Sequence, residues 1–267
     1  MWRFLNTGLQ DGHFNMALDE QLVEQLLGGT GCPTVRVYGW RPHAVSLGFH
    51  QRENEIDLAI CGEGGIDVVR RPTGGRAILH AHELTYSVVT WAGGRSVLEI
   101  YRHISNALLQ SLRFLGIPAA ESASGGGAAI HNRGEKAILC FASTSKYEIQ
   151  VGGKKVVGSA QRRYASDDRS GEHVVLQHGS ILLGPEHRRL AELISAEKPR
   201  TREILRHLLE SKTTEVETVL NRPVTFEETA DAVKKGFEHA WGISFDADAD
   251  PRPDFVLNSS AAYQHIG

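Results

Sequence analysis

The sequence predicts an α+β fold: mixed, largely antiparallel sheets with flanking helices, ending in a helical C-terminal segment. Three observations carry this. Runs of β-branched and aromatic residues, such as TVRVYGW (34–40) and ELTYSVVTW (83–91), are bounded by glycine, proline and polar clusters, as strands are. On either side of these runs, apolar residues recur at helical spacing in two stretches. From Pro185 onward the pattern is helical.

Taken in order, Phe14, Leu18, Leu22, Leu26 and Leu27 share one helical face, so an amphipathic helix opens the fold and Gly28-Gly29 ends it. TVRVYGW and AVSLG (44–48) read as paired strands around Arg41-Pro42-His43. A short helix over 54–62 leads to the strand IDVVRR, the segment PTGGR, and the strands AILH and ELTYSVVTW. Val97, Ile100, Tyr101, Ile104, Leu108, Leu112 and Leu115 mark the longest helix, stopped by Gly116 before Pro118. A glycine-rich loop (124–127) precedes the strand signals KAILCF, YEIQV, KKVVGSAQ and VVLQHGSILL. Gly152-Gly153 has the composition of a two-residue hairpin turn. ETADAVKKGFEHAW (228–241) is the clearest of the late helices.

Composition narrows the function. The 267 residues carry a net charge of −3, which argues against general nucleic-acid binding. No apolar run approaches the roughly 20 residues that span a bilayer, and the first residues lack a secretory pattern. Cys32, Cys61 and Cys140 fit neither a disulfide framework nor a zinc spacing, so a reducing cytoplasm is expected.

Four places could hold chemistry. In RRPTGGRAILH (70–80), glycines allow close backbone approach while arginines beside them could hold an anion. The same residues could be a hairpin turn with solvated arginines. The segment is neither a GxxxxGK[ST] loop nor a GxGxxG loop. Cys140 ends the apolar run KAILC, a position that suits a nucleophile and equally a small buried hydrophobe. Lys154 and Lys155 open a strand, so only one can face a given cleft. There a lysine can polarise a carbonyl or favour a thiolate; elsewhere it is a solvated edge residue. His80 and His82 are spaced to share a strand face, but no further metal ligand stands nearby, and no metal is expected.

RRPTGGRAILH, then ELTYSVV, KKVVGSAQ and LQHGSILL, preceded by the NMALDE helix and GFHQ, resemble the lipoate-protein ligase and octanoyltransferase family. The likeness runs over 15–183, with a weaker helical tail. It implies the biotin/lipoate protein ligase catalytic-domain fold over 1–245, with 246–267 as a C-terminal tail. The acyl chain would lie in a tunnel behind the glycine-rich segment.

Within the family, ATP-dependent ligases carry a third glycine where this chain has Arg76. Cys140-Phe141 upstream of GSAQ resembles the LipM-type octanoyltransferases, which need no cofactor. Amidotransferases of the LipL type, which move an acyl group between lipoyl-domain proteins, share the cysteine. A non-catalytic module that captures acyl carriers is a further alternative. Biotin-ligase chemistry would need a GRGRxGR-type loop, which is absent from the sequence.

The resemblance makes Cys140 the nucleophile that carries the octanoyl group, and Lys155 the lysine that assists the thiolate and holds the carbonyl oxygen. Acyl-substrate binding would fall to Arg71, Thr73, Gly74, Gly75, Arg76 and His80 on the first side. Gly158, Ser159, Ala160, His178 and Gly179 would form the second. The expected partners are octanoyl-acyl carrier protein as donor, and the glycine cleavage H protein or an E2 lipoyl domain as acceptor. Arg70, Arg71, Arg76, Arg162 and Arg163 would meet the acidic carrier surface and mainly speed encounter.

Overall fold

The structure, a computed structural model, describes residues 1–121, 148–195 and 199–245. The expected nucleophile Cys140, the glycine-rich loop at 124–127, the strand KAILCF and the tail at 246–267 lie outside the described residues.

The described residues form ten strands and six α-helices. The strands are β1 (Arg3–Gln10), β2 (Thr34–Trp40), β3 (Ala44–Leu47), β4 (Asp67–Arg70), β5 (Ile78–His80), β6 (Glu83–Trp91), β7 (Ala120–Glu121), β8 (Ile149–Val151), β9 (Lys154–Ala165) and β10 (His173–Leu182). The helices are α1 (Gly12–Leu27), α2 (Leu58–Glu63), α3 (Val97–Phe114), α4 (Pro199–Lys212), α5 (Val216–Leu220) and α6 (Phe226–Trp241), with a 3-10 helix over Pro185–Leu193. Seven strands make the large sheet, in the order β1-β2-β6-β10-β9-β8-β7, and β4-β3-β5 make a small one. Only β1–β2 and β3–β4 run parallel, so the sheets are mixed and largely antiparallel, as the patterning predicts.

Two expectations need correction. A strand, β1, precedes the first helix. Its alternation is broken by Gly8 at φ 63° and by a register shift between Asn6 and Leu9, which hides it from a period-two reading. In addition, β2 and β3 do not pair. β2 already has β1 on one edge and β6 on the other, so the chain crosses at Arg41-Pro42 into the small sheet. There β3 pairs with β4 and β5.

Side-chain alternation splits the core. Val88 and Val175 face α3 and α6, packing with Ile104, Leu108, Leu112, Val233 and Phe237. Their neighbours Val89, Val174 and Leu176 face the other way, onto Leu18, Leu22 and Leu26 of α1. α1 starts where the Asp11 carboxylate accepts from the Phe14 N–H at 2.8 Å. The small sheet packs its Val45, Leu47 and Leu79 against Cys61 and Leu190 in a separate cluster. The space left between the two sheets holds the cavity described next.

Candidate active site

The cavity has a volume of about 200 Å³ and is bounded by both sheets. An apolar cavity of about 150 Å³ accepts benzene, so the scale suits a medium acyl chain. Met16, Tyr38, Trp40 and Ile78 give it apolar walls. The Trp40 ring is stacked on His80 at 4.0 Å. One rim is the turn Gly74-Gly75-Arg76, and the opposite side is β9 and β10 at Gly158, Ser159, Ala160, His178 and Gly179. Gly75 has φ 103°, a conformation that favours glycine. At Gly179, where β9 and β10 run side by side, a Cβ would collide with the Gly158 carbonyl, so only glycine lets the strands close up there.

Lys155 also lines this cavity, 7% exposed, and its Nζ donates to Glu148 Oε1 at 2.8 Å. Lys154 is exposed on the far side of the strand. A bulge explains the choice. Ile149 pairs with Val157 but Gln150 pairs with Lys155, so Val156 is the extra residue. Val156 and Val157 both turn into the core, and Lys155 returns to the cavity side.

A buried polar network lies beneath the glycine turn. Asp19, on the face of α1 toward the sheet, accepts from Arg36 Nη1 (2.8 Å), Ser87 Oγ (2.8 Å) and Tyr38 Oη (3.1 Å). His178 Nδ1 lies 3.0 Å from Asp19 Oδ2, and its Nε2 lies 2.6 Å from Thr73 Oγ1. Burial works to raise the Asp19 carboxyl, but the hydrogen bond to His178 and the charge of Arg36 outweigh it and hold Asp19 below the usual carboxylate value. Burial pushes His178 down, and Asp19 only partly offsets it. A neutral imidazole beside an ionised Asp19 therefore carries its proton on Nδ1 and accepts from the Thr73 hydroxyl on Nε2.

Because His178 is held below 6.5 in the folded protein, the unfolded chain takes up the proton first as pH falls. Its neutral burial therefore costs stability as pH drops below about 6.5, by at most about 1.4 kcal/mol per pH unit. Asp19 acts lower on the scale, losing its contribution as pH falls through its depressed native value. Between pH 7.5 and 5.5, unfolding free energy should fall more steeply in the native protein than in His178→Gln, which lacks the titrating ring. Urea unfolding at several pH values checks this.

Of the expected site residues in the described part, Arg71, Gly74, Gly75, Arg76, His80, Lys155, Gly158, Ser159, Ala160, His178 and Gly179 all line the cavity. Thr73 stands just behind, against His178. Arg71 is not on the surface: it is 4% exposed and donates to the Ser46, Gly74 and Arg76 carbonyls, so it cannot meet a carrier protein. His82 does not share a face with His80, because β5 ends at His80; its ring lies 3.5 Å from both Glu186 and Glu217. Among the described residues no group of three metal-ligating side chains comes together. Asp19, Ser46, Glu83 and Glu148 escape a reading of the sequence. Only Asn15 and Asp19 left a signal, as polar residues four apart on an otherwise apolar helix face.

The sequence profile of the Lipoyl protein ligase A/B catalytic domain matches residues 11–238. The chain belongs to this family. It is 43% identical over 251 residues to Octanoyltransferase LipM of Symbiobacterium thermophilum, covering 91% of this chain and 87% of that one. Octanoyltransferase LipM of Geobacillus kaustophilus is 39% identical over 254 residues, again over 91% and 87%. Among solved structures, the bi-partite lipoate protein ligase of Thermoplasma acidophilum, studied with its E2 lipoyl domain, superposes with a TM-score of 0.70. It shares 22% identity over 92% of this chain and 86% of that one, a likeness of fold alone. By its family and its relatives this lipoyl ligase-family chain is an acyltransferase, and octanoyl transfer in protein lipoylation is the activity they support. No helix among the described residues is long and apolar enough to cross a membrane.

Proposed function

We propose that the protein transfers an octanoyl group from octanoyl-acyl carrier protein to a lysine of the glycine cleavage H protein or an E2 lipoyl domain, in the cytoplasm, through a thioester on Cys140. The observation that carries this reading is the apolar slot between the sheets, with the buried Lys155 on its wall, in a chain whose relatives are octanoyltransferases.

The chemistry balances without ATP. The Cys140 thiolate attacks the carrier thioester carbonyl, the new C–S bond forms, and the carrier thiol leaves and takes a proton. The acceptor lysine amine then attacks the enzyme thioester, forms the amide, loses a proton, and returns the Cys140 thiolate. The second step is downhill because an amide replaces a thioester, and dividing the transfer in two lowers the kinetic difficulty. Lys155 supplies positive charge beside the thiolate and the developing oxyanion.

Carrier docking is assigned to the rim. Arg162 donates to the Pro72 carbonyl at 3.0 Å and lies over the Phe49 ring at 4.3 Å, which leaves Phe49 42% exposed beside a cation. Arg70, at the end of β4, donates to the Gly48, Phe49 and Gln51 carbonyls and pairs with Glu53, and Arg163, on β9, donates to the Arg95 carbonyl; both add positive charge that favours an acidic partner.

Side-by-side assays with octanoyl carrier protein, octanoyl H protein, and free lipoate plus ATP and magnesium test the assignment. Transfer from the carrier, with no lipoyl adenylate formed in the third arm, is expected. Robust ATP-dependent lipoylation would move the protein to the ligase branch.

Chain length gives a second test. Each buried methylene contributes roughly 0.8 kcal/mol, so octanoyl should beat butanoyl by about 3 kcal/mol, or on the order of a hundredfold in kcat/KM. Equal rates would contradict an acyl-length slot.

A further inference from the structure

We infer that Thr73 is a positioning residue, fixed by His178 and Asp19 so that the Gly74-Gly75 turn holds the shape of the acyl slot; this rests on the octanoyl-transfer reading above. The turn is held from two directions. On one, the Asp19 carboxylate accepts from His178 Nδ1–H at 3.0 Å, and His178 Nε2 accepts from the Thr73 hydroxyl at 2.6 Å. Asp19 and Thr73 are both 0% exposed and His178 is 5% exposed, so water does not compete for these bonds. On the other, Glu83 Oε1 lies 2.8 Å from His80 Nδ1, and His80 Nε2 lies 2.7 Å from Ser46 Oγ. Ser46 Oγ in turn accepts from Arg71 Nη1 at 3.0 Å. Arg71 Nη2 then donates to the Gly74 carbonyl at 2.9 Å and to the Arg76 carbonyl at 2.8 Å.

Two buried carboxylate–histidine networks thus end on either side of one turn whose Gly74 and Gly75 have no side chain to hold it. Gly74 and Gly75 bring conformational freedom, and Gly75 uses it at φ 103°. Thr73 is the last residue before them with a side chain able to fix the backbone, and its carbonyl also accepts from the Phe49 N–H at 2.9 Å. A turn that wanders by an ångström changes both the slot's length and the place of the reacting carbonyl, which can cost about a hundredfold in rate.

The experiment compares Thr73→Val, which keeps the shape and loses the hydroxyl, with Thr73→Ser, which keeps the hydroxyl and loses the methyl group. Three quantities are read: octanoyl-transfer kcat, the octanoyl-to-butanoyl ratio, and amide hydrogen exchange over residues 73–77 in the free enzyme. Thr73→Val should lose up to about a hundredfold in kcat, show a compressed chain-length ratio, and exchange faster at the turn. Thr73→Ser should stay close to the unsubstituted enzyme in all three. Unchanged turnover and exchange in Thr73→Val would overturn the proposal. So would equal losses in both variants, because these would trace to the methyl contact. If the unsubstituted enzyme takes up no octanoyl group, the transfer reading fails, while the exchange comparison still decides whether the hydroxyl holds the turn.

Discussion

Replacing Cys140 with alanine should abolish octanoyl transfer and leave the folded protein intact, because the proposed acyl-enzyme then has no other thiol at the cavity to form on. Cys61 packs into the core of the small sheet and does not line the cavity, and burial together with the Asp57 carboxylate pushes its thiol up, away from the reactive thiolate form. Cys32 lies before β2, also away from the lining. Cys61→Ala and Cys32→Ala should therefore keep transfer activity. Loss of a nucleophile should lower turnover by several orders of magnitude, well beyond the effect of a positioning residue. Steady-state transfer from octanoyl carrier protein to an H protein measures all three variants. Near-normal turnover in Cys140→Ala would remove the acyl-enzyme from the mechanism.

The second large effect is expected at Lys155. Its ammonium is fixed in the cavity wall by an ion pair with Glu148 at 2.8 Å and is only 7% exposed, so solvent screens it little. Lys155→Ala should lose on the order of a hundredfold in transfer rate, the scale of removing one oxyanion donor. It should also move the alkylation of Cys140 by iodoacetamide to higher pH, since a cation nearby favours the thiolate. Lys154→Ala should change neither, because that side chain points to solvent. Paired pH–alkylation curves and transfer rates decide between the two lysines, and a larger loss at Lys154 would reverse the assignment.

Those two lysines also show how far the sequence carries. Counting back from Gly158 by twos selects Val156 and then Lys154, the wrong neighbour for the cavity. Only the bulge at Val156 turns Lys155 inward, and a bulge has no signature in KKVVGSAQ. The likeness to the family's motif spacing pointed to Lys155 where local periodicity could not. Most strands and helices were legible, because their apolar spacing answers directly to a buried face. β1 was not, because Gly8 and a register shift break its alternation. The short loop before β3 favours a hairpin with β2, whereas the edges of β2 are taken by β1 and β6. The glycine turn and the two histidines at its base were visible as motif residues. What joins them is tertiary: Asp19 shows in the sequence only as a polar residue on an apolar helix face, and Ser46 with Glu83, from two different sheets, has no local pattern.

The central claim is that an octanoyl group passes through a thioester on this protein. It is tested most directly by intact-mass measurement after mixing the protein with octanoyl-acyl carrier protein in the absence of an acceptor. The expected result is a gain of one octanoyl group, located at Cys140 by peptide mapping, removed by hydroxylamine, and passed to an H protein when one is added. A protein that transfers octanoate to the acceptor at full rate while never gaining that mass would contradict it.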